Sequence, residues 1–184
     1  MSANNILLLP GWQNSGPDHW QSLWEARHGY RRVEQHDWMR PLRGDWIAQL
    51  EEVVLSLDTE KDGPIVLVAH SLGCMLAAAW AAHSRNTTRV KAAFLVAPGD
   101  PEREELRPLL SSWTPVERAH LPFSCELLGS QNDPYCSRDR AQGFAHSWGA
   151  EFVDAGRLGH INSESGLGEW PEGHARLEAL IARA

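Results

Sequence analysis

The chain has 184 residues and a mass of 20.6 kDa, with 42% apolar and 22% charged residues. That length and apolar content fit one domain, 1–184, with a sizeable core. Seventeen basic against 24 acidic residues give a formal charge of -7, and the arginines are scattered except for Arg31 and Arg32, which argues against nucleic acid and anionic membranes as partners.

Ile6 to Leu9 is an apolar run closed by Pro10 and Gly11, and it predicts the first strand. A Trp-rich amphipathic segment leads to a weaker strand over Arg31 to Gln35. Asp45 is placed to cap a helix carrying Trp46, Ile47, Leu50, Val53, Val54 and Leu57 at helical spacing, after which Gly63 and Pro64 reset the chain. Ile65 to Val68 is the clearest strand, and it runs directly into Ala69, His70, Ser71, Leu72 and Gly73. Leu72 to His83 is alanine-rich and free of breakers, so a helix packed closely on a sheet is expected.

Val90 to Val96 predicts the fourth strand. Gly99 to Ser124, with four prolines, is irregular with a short helix beginning near Glu102. Cys125 to Gly129 and Glu151 to Val153 predict strands five and six, with a helix between them over Ser137 to Trp148 and a closing amphipathic helix over Trp170 to Ala184. Apolar strands without polar alternation, separated by helices, imply a parallel sheet covered on both faces. The expected class is a three-layer α/β/α sandwich of about six mostly parallel strands.

The segment around Ser71 approximates G-x-S-x-G, with Ala69 at the first small position. Small residues two before and two after a serine let strand and helix approach, while a strained backbone at the apex projects the hydroxyl. The alternative is a serine that simply caps the following helix.

A serine hydroxyl needs a base within hydrogen-bond reach and a third group that orients the base. In doubly wound hydrolases the chain order is serine, acid, histidine, each on a loop leaving a strand's C-terminal end. Asp133 follows strand five within GSQNDPYCS, where an Asx turn without chemistry is the competing role. His160 follows strand six in a glycine-flanked loop. His70 adjoins the serine but is expected to point away from it, and the remaining histidines precede the serine or fall in predicted helices and the irregular stretch. For a developing oxyanion the expected backbone donors are Leu72, at a helix N-terminus, and Trp12, just past strand one. Among nine tryptophans, Trp12, Trp20 and Trp38 fall in predicted loops, and at least one is expected to line an acyl or alcohol pocket rather than merely close the core.

No apolar run approaches the ~20 residues that span a bilayer, and the N-terminus lacks a basic region followed by a long apolar segment, so a soluble cytoplasmic protein is expected. Cys74, Cys125 and Cys136 are odd in number and far apart, which predicts free thiols. No H-E-x-x-H spacing occurs, so neither a metal nor another cofactor is expected.

Taken together, LLPGWQNSGPDHWQSLWE, VEQHDWMRPLRGDWIAQLEE, LVAHSLGC, LLGSQNDPYCS and GHINSESGLGEWPEG resemble the small serine hydrolase family of α/β-hydrolase fold that includes retinoblastoma-binding protein 9 and bacterial YdeN-type proteins. The resemblance spans nearly the whole chain. It implies a triad at Ser71, Asp133 and His160, and a compact, nearly lidless fold with an open cleft, because only Gly99 to Ser124 stands where larger relatives insert a cap. The L-x-C-x-E motif behind the vertebrate member's binding role does not occur, so that partner is not expected. The expected activity is hydrolysis of a small ester, or an amide or thioester, through an acyl-enzyme on Ser71. The alternative is a hydrolase-fold binding protein with little or no turnover.

Overall fold

The structure, a computed structural model, describes residues 2–184; Met1 of the expected domain lies outside them. Six strands, β1 (Ile6–Leu9), β2 (Arg31–Arg32), β3 (Ile65–His70), β4 (Val90–Val96), β5 (Ser124–Gly129) and β6 (Glu151–Asp154), form one sheet in the order β2-β1-β3-β4-β5-β6. All five pairings are parallel. The helices are α1 (Trp20–His28), α2 (Arg43–Ser56), α3 (Thr59–Asp62), α4 (Leu72–His83), α5 (Arg138–Trp148) and α6 (Pro171–Arg183).

Strand periodicity divides the core. Leu7, Leu9, Leu67, Ala69, Ala93, Leu95 and Leu127 face α2, α4 and α5, whereas Ile6, Leu8, Val66, Val68, Phe94, Val96 and Leu128 face α1 and α6. β1 and β3 are buried at every residue, as strands covered on both faces must be. The three-layer expectation therefore holds.

Three local expectations are corrected. β2 stops at Arg32 instead of Gln35: the Val33 amide still donates to the Leu8 carbonyl, but the next donor on β1 would be Pro10, which has no N–H. α2 begins at Arg43, and Asp45 lies inside its first turn; the Arg43 amide is capped from a distance by the Ser112 hydroxyl at 3.2 Å. No helix begins at Glu102. Residues 101–109 form successive turns and a single 3-10 turn follows at Ser111–Trp113, because Pro108 cannot donate the bond that would carry a helix onward.

The chain leaves β1 for β2 on one side and returns to β3 on the other, so a crevice opens above the carboxyl ends of β1 and β3. The buried Gln21 amide bridges that opening, donating to the Leu9 and Val68 carbonyls.

Candidate active site

Ser71 joins β3 to α4 with φ 55° and ψ -121°, a conformation that costs a non-glycine residue roughly 1–3 kcal/mol. The strain is held from both sides: the Ser71 amide donates to the Val96 carbonyl of the neighbouring strand, and the Ser71 carbonyl accepts from Cys74 in the first turn of α4. Its hydroxyl makes no capping bond to the helix, which removes the capping alternative. Instead Oγ lies 2.9 Å from His160 Nε2.

His160 Nδ1 lies 2.8 and 3.0 Å from the two oxygens of Asp133. A carboxylate accepts only, so Nδ1 carries the proton and Nε2 is left to accept from the serine hydroxyl. Asp133 Oδ1 also accepts from the Tyr135 amide, so the Asx turn and the contact with the histidine coexist. The Asp133 side chain is 2% exposed. Asn132 Oδ1 accepts from the Gly159 amide and the Ser130 hydroxyl accepts from the Leu158 amide, which ties the acid loop to the histidine loop. Nothing local to the sequence marks these ties, because each joins residues 27 or 28 positions apart.

Two glycines flank the hydroxyl. A methyl group on Gly11 would lie 2.7 Å from Ser71 Cβ and 3.2 Å from Oγ, and one on Gly99 would lie 3.2 Å from Oγ and 3.7 Å from the Leu72 amide nitrogen. At Gly11 the backbone passes so close that a Cβ could enter only if Ser71 moved, whereas at Gly99 a Cβ would be a tight contact with the hydroxyl. Among the described residues the Trp12 and Leu72 amides have no acceptor.

The cleft above Ser71 has a volume of about 300 Å3. Trp12, Leu106 and Leu110 supply apolar wall, the two leucines coming from the irregular stretch, while Asn14, Asn162 and Ser163 supply polar wall. Of the three candidate tryptophans, only Trp12 lines it. Trp20 is 1% exposed in the core between sheet and α6, and its spacing of four from Trp24 was the signal for that. Trp38 packs on Trp46 at 5.4 Å and uses its carbonyl to hold the Gln13 amide, so it supports the loop after Trp12 from behind.

His70 does not point away. Its Nε2 lies 2.8 Å from the His160 carbonyl, and its ring lines the cleft floor. His19 caps α1: its Nδ1 accepts from the Gln21 amide at 3.1 Å, which leaves the proton on a buried Nε2. Burial first, then the neighbouring His160 and Arg32, depress its pKa to about 3. Burial likewise holds His70 well below its usual range.

These depressed values set a pH dependence of stability. A ring neutral in the fold but free in the unfolded chain takes up a proton on unfolding below pH 6.5, so stability falls as pH drops from 6.5 towards 3. Each such ring contributes a slope of up to about 1.4 kcal/mol per pH unit. His19→Asn keeps a capping oxygen and removes the titration; its urea midpoint should fall less steeply between pH 6.5 and 4 than that of the parent chain. Identical slopes would show that His19 does not resist protonation.

All three cysteines are buried free thiols. Burial pushes Cys125 up to about 12 and holds Cys74 and Cys136 well above the normal thiol range, so none supplies a thiolate near neutrality. Among the described residues no group of histidine, cysteine and acidic side chains is arranged to hold a metal ion, and no helix is long and apolar enough to cross a membrane.

The serine hydrolase family model matches residues 6–179. A crystal structure from Pectobacterium atrosepticum, described as that of a YdeN-like hydrolase, is 31% identical with a TM-score of 0.80, over 95% of this chain and 91% of that one. The ydeN gene product of Bacillus subtilis is 17% identical with a TM-score of 0.75, covering 96% and 98%. A carboxylesterase of Bacillus cereus is 21% identical with a TM-score of 0.54, covering 84% and 79%. The last two likenesses bear on the fold alone. No curated protein matches the chain in sequence.

Proposed function

The chain belongs to the serine hydrolase family and is a hydrolase of α/β fold, and from that premise we propose that it cleaves small carboxylic esters through an acyl-enzyme formed on Ser71. The observation that carries this reading is the unbroken hydrogen-bond path from Asp133 through His160 to a hydroxyl that is not used for capping.

In the proposed reaction His160 Nε2 takes the hydroxyl proton as Ser71 Oγ bonds to the ester carbonyl carbon. Asp133 stabilises the imidazolium and keeps its ring in register. The carbonyl oxygen, now negative, sits against the Trp12 and Leu72 amides, the second at the N-terminus of α4, where unpaired N–H groups and the helix dipole favour an anion. Collapse breaks the bond to the alkoxy group, which leaves as the alcohol with the proton from His160. Water then gives its proton to His160, adds to the acyl carbon and releases the acid, returning the proton to Ser71.

A cleft of about 300 Å3 lies at the small end for ligand sites, which favours short acyl groups. An ester is also the substrate class named for the Bacillus cereus neighbour. A fluorophosphonate probe should label the intact protein once, and peptide mass analysis should place the adduct on Ser71. Turnover of p-nitrophenyl esters should fall as the acyl chain lengthens from acetate to octanoate. An adduct on another residue would end the assignment; no adduct and no turnover on a broad ester and amide panel would leave a binding role.

A further inference from the structure

The loop that carries His160 contains an unusual backbone. Ile161 has φ 47°, and a β-branched side chain in the left-handed region is a genuine steric outlier. Its side chain is fully buried in the core shared with α1 and α6. Two ring N–H groups hold the strained unit from different elements. Trp20 Nε1, at the start of α1, donates to the Ile161 carbonyl at 2.8 Å, and His70 Nε2, at the end of β3, donates to the preceding His160 carbonyl at 2.8 Å. A carbonyl only accepts, so the His70 proton is fixed on Nε2.

Both donors belong to a packed aromatic group. Trp20 meets His70 edge-on at 6.0 Å and packs on Trp24 and Trp170 at 4.6 and 5.3 Å, while the His70 and His160 rings lie 4.8 Å apart. His70 is also the residue before Ser71. One residue therefore carries the serine on its backbone and grips the histidine loop with its side chain.

We infer that His70 and Trp20 are positioning residues: a clamp on two consecutive carbonyls that fixes the His160 imidazole at bonding distance from the Ser71 hydroxyl. The inference rests on the roles proposed above for Ser71 and His160. Without the clamp the loop is free to relax Ile161 out of its strained conformation, and the imidazole moves off the line between Ser71 and Asp133. A misplacement of about 1 Å is enough to lower a rate by about 100-fold.

The test uses the full chain, with active enzyme counted by fluorophosphonate titration. His70→Phe keeps a ring and deletes the N–H; kcat for a short p-nitrophenyl ester should fall about 10- to 100-fold, with KM within about threefold. His70→Gln returns a donor near the Nε2 position and should recover kcat to within about fivefold of the parent. Proton NMR should show the downfield signal of the His160 Nδ1–H bond to Asp133 weakened in His70→Phe and restored in His70→Gln. Should His70→Phe not fold, Trp20→Phe reads the other carbonyl and should also lower kcat. Parent-like kcat in either phenylalanine variant overturns the clamp, as does an equal loss in His70→Phe and His70→Gln with the NMR signal unchanged. Ser71→Ala in the same assay separates the two levels: if it stays active the ester-cleavage reading itself is lost, and if it is inactive while His70→Phe is not, only the clamp falls.

Discussion

Ser71→Ala should lower kcat for a p-nitrophenyl ester by about a million-fold and leave KM within a few-fold, when residual hydrolysis is corrected for the rate in buffer. The size of the effect follows from the proposed reaction, in which the bond to the acyl carbon has no substitute once Oγ is gone, because every nearby cysteine is a buried, protonated thiol. Asp133→Asn should lower kcat less, by about 10,000-fold, since an amide at that position permits the wrong imidazole tautomer without removing the nucleophile. Ser71→Gly adds a second readout. Alanine inherits the strain at φ 55° whereas glycine does not, so the glycine variant should be the more stable of the two by about 1 kcal/mol in urea unfolding. An alanine variant that retains a tenth of parent activity would remove Ser71 from the chemistry.

What could be read in advance was whatever depends on short-range pattern. The elbow was legible because four β-prone residues meet a breaker-free, alanine-rich helix across one serine. The order serine, acid, histidine pointed among 24 acidic residues and nine histidines to Asp133 and His160, which the fold places within hydrogen-bond distance of each other, with His160 also within that distance of Ser71. What depends on contacts between distant segments was not. Gly11 and Gly99 look like ordinary turn glycines until the fold brings both against Ser71 Oγ. His70 was expected to point away because alternation along a strand sends neighbouring side chains to opposite faces. Alternation does hold at His70, the last residue of β3: its ring lies on the face of Val66 and Val68, where Trp20 and Ile161 pack, and the fold brings the His160 carbonyl to it there, a contact 90 positions away in the chain. Trp20 falls in a predicted loop by sequence, yet it opens α1, whose N-cap is His19, a ring nitrogen where serine, threonine, aspartate or asparagine is the usual signal.

Gly73→Ala should be the most damaging single methyl that can be added near the site. The new Cβ would fall 2.1 Å from the Leu9 carbonyl oxygen, 2.9 Å from its carbon and 2.9 Å from the Pro10 oxygen. All three are backbone atoms, so no side-chain rotation relieves the contact, and either α4 or the end of β1 must retreat. Retreat of β1 is resisted from the opposite face by the Gln21 amide on the same Leu9 carbonyl, and it would carry Gly11 and Trp12 away from Ser71. Retreat of α4 would shift Leu72 and the serine itself. Overpacking of this kind costs about 1–3 kcal/mol where side chains can yield, and here the value belongs at or above the upper end. The expected result is a loss of at least about 3 kcal/mol in urea unfolding, together with a fall in kcat larger than the lost folded fraction explains. Ala69 provides the control, because its methyl already occupies the first small position of the motif, fully buried. Ala69→Gly should cost about 1 kcal/mol and leave kcat near the parent value. If Gly73→Ala were as mild as that, the close approach of α4 to β1 would not be what holds the donor of Trp12 over the serine.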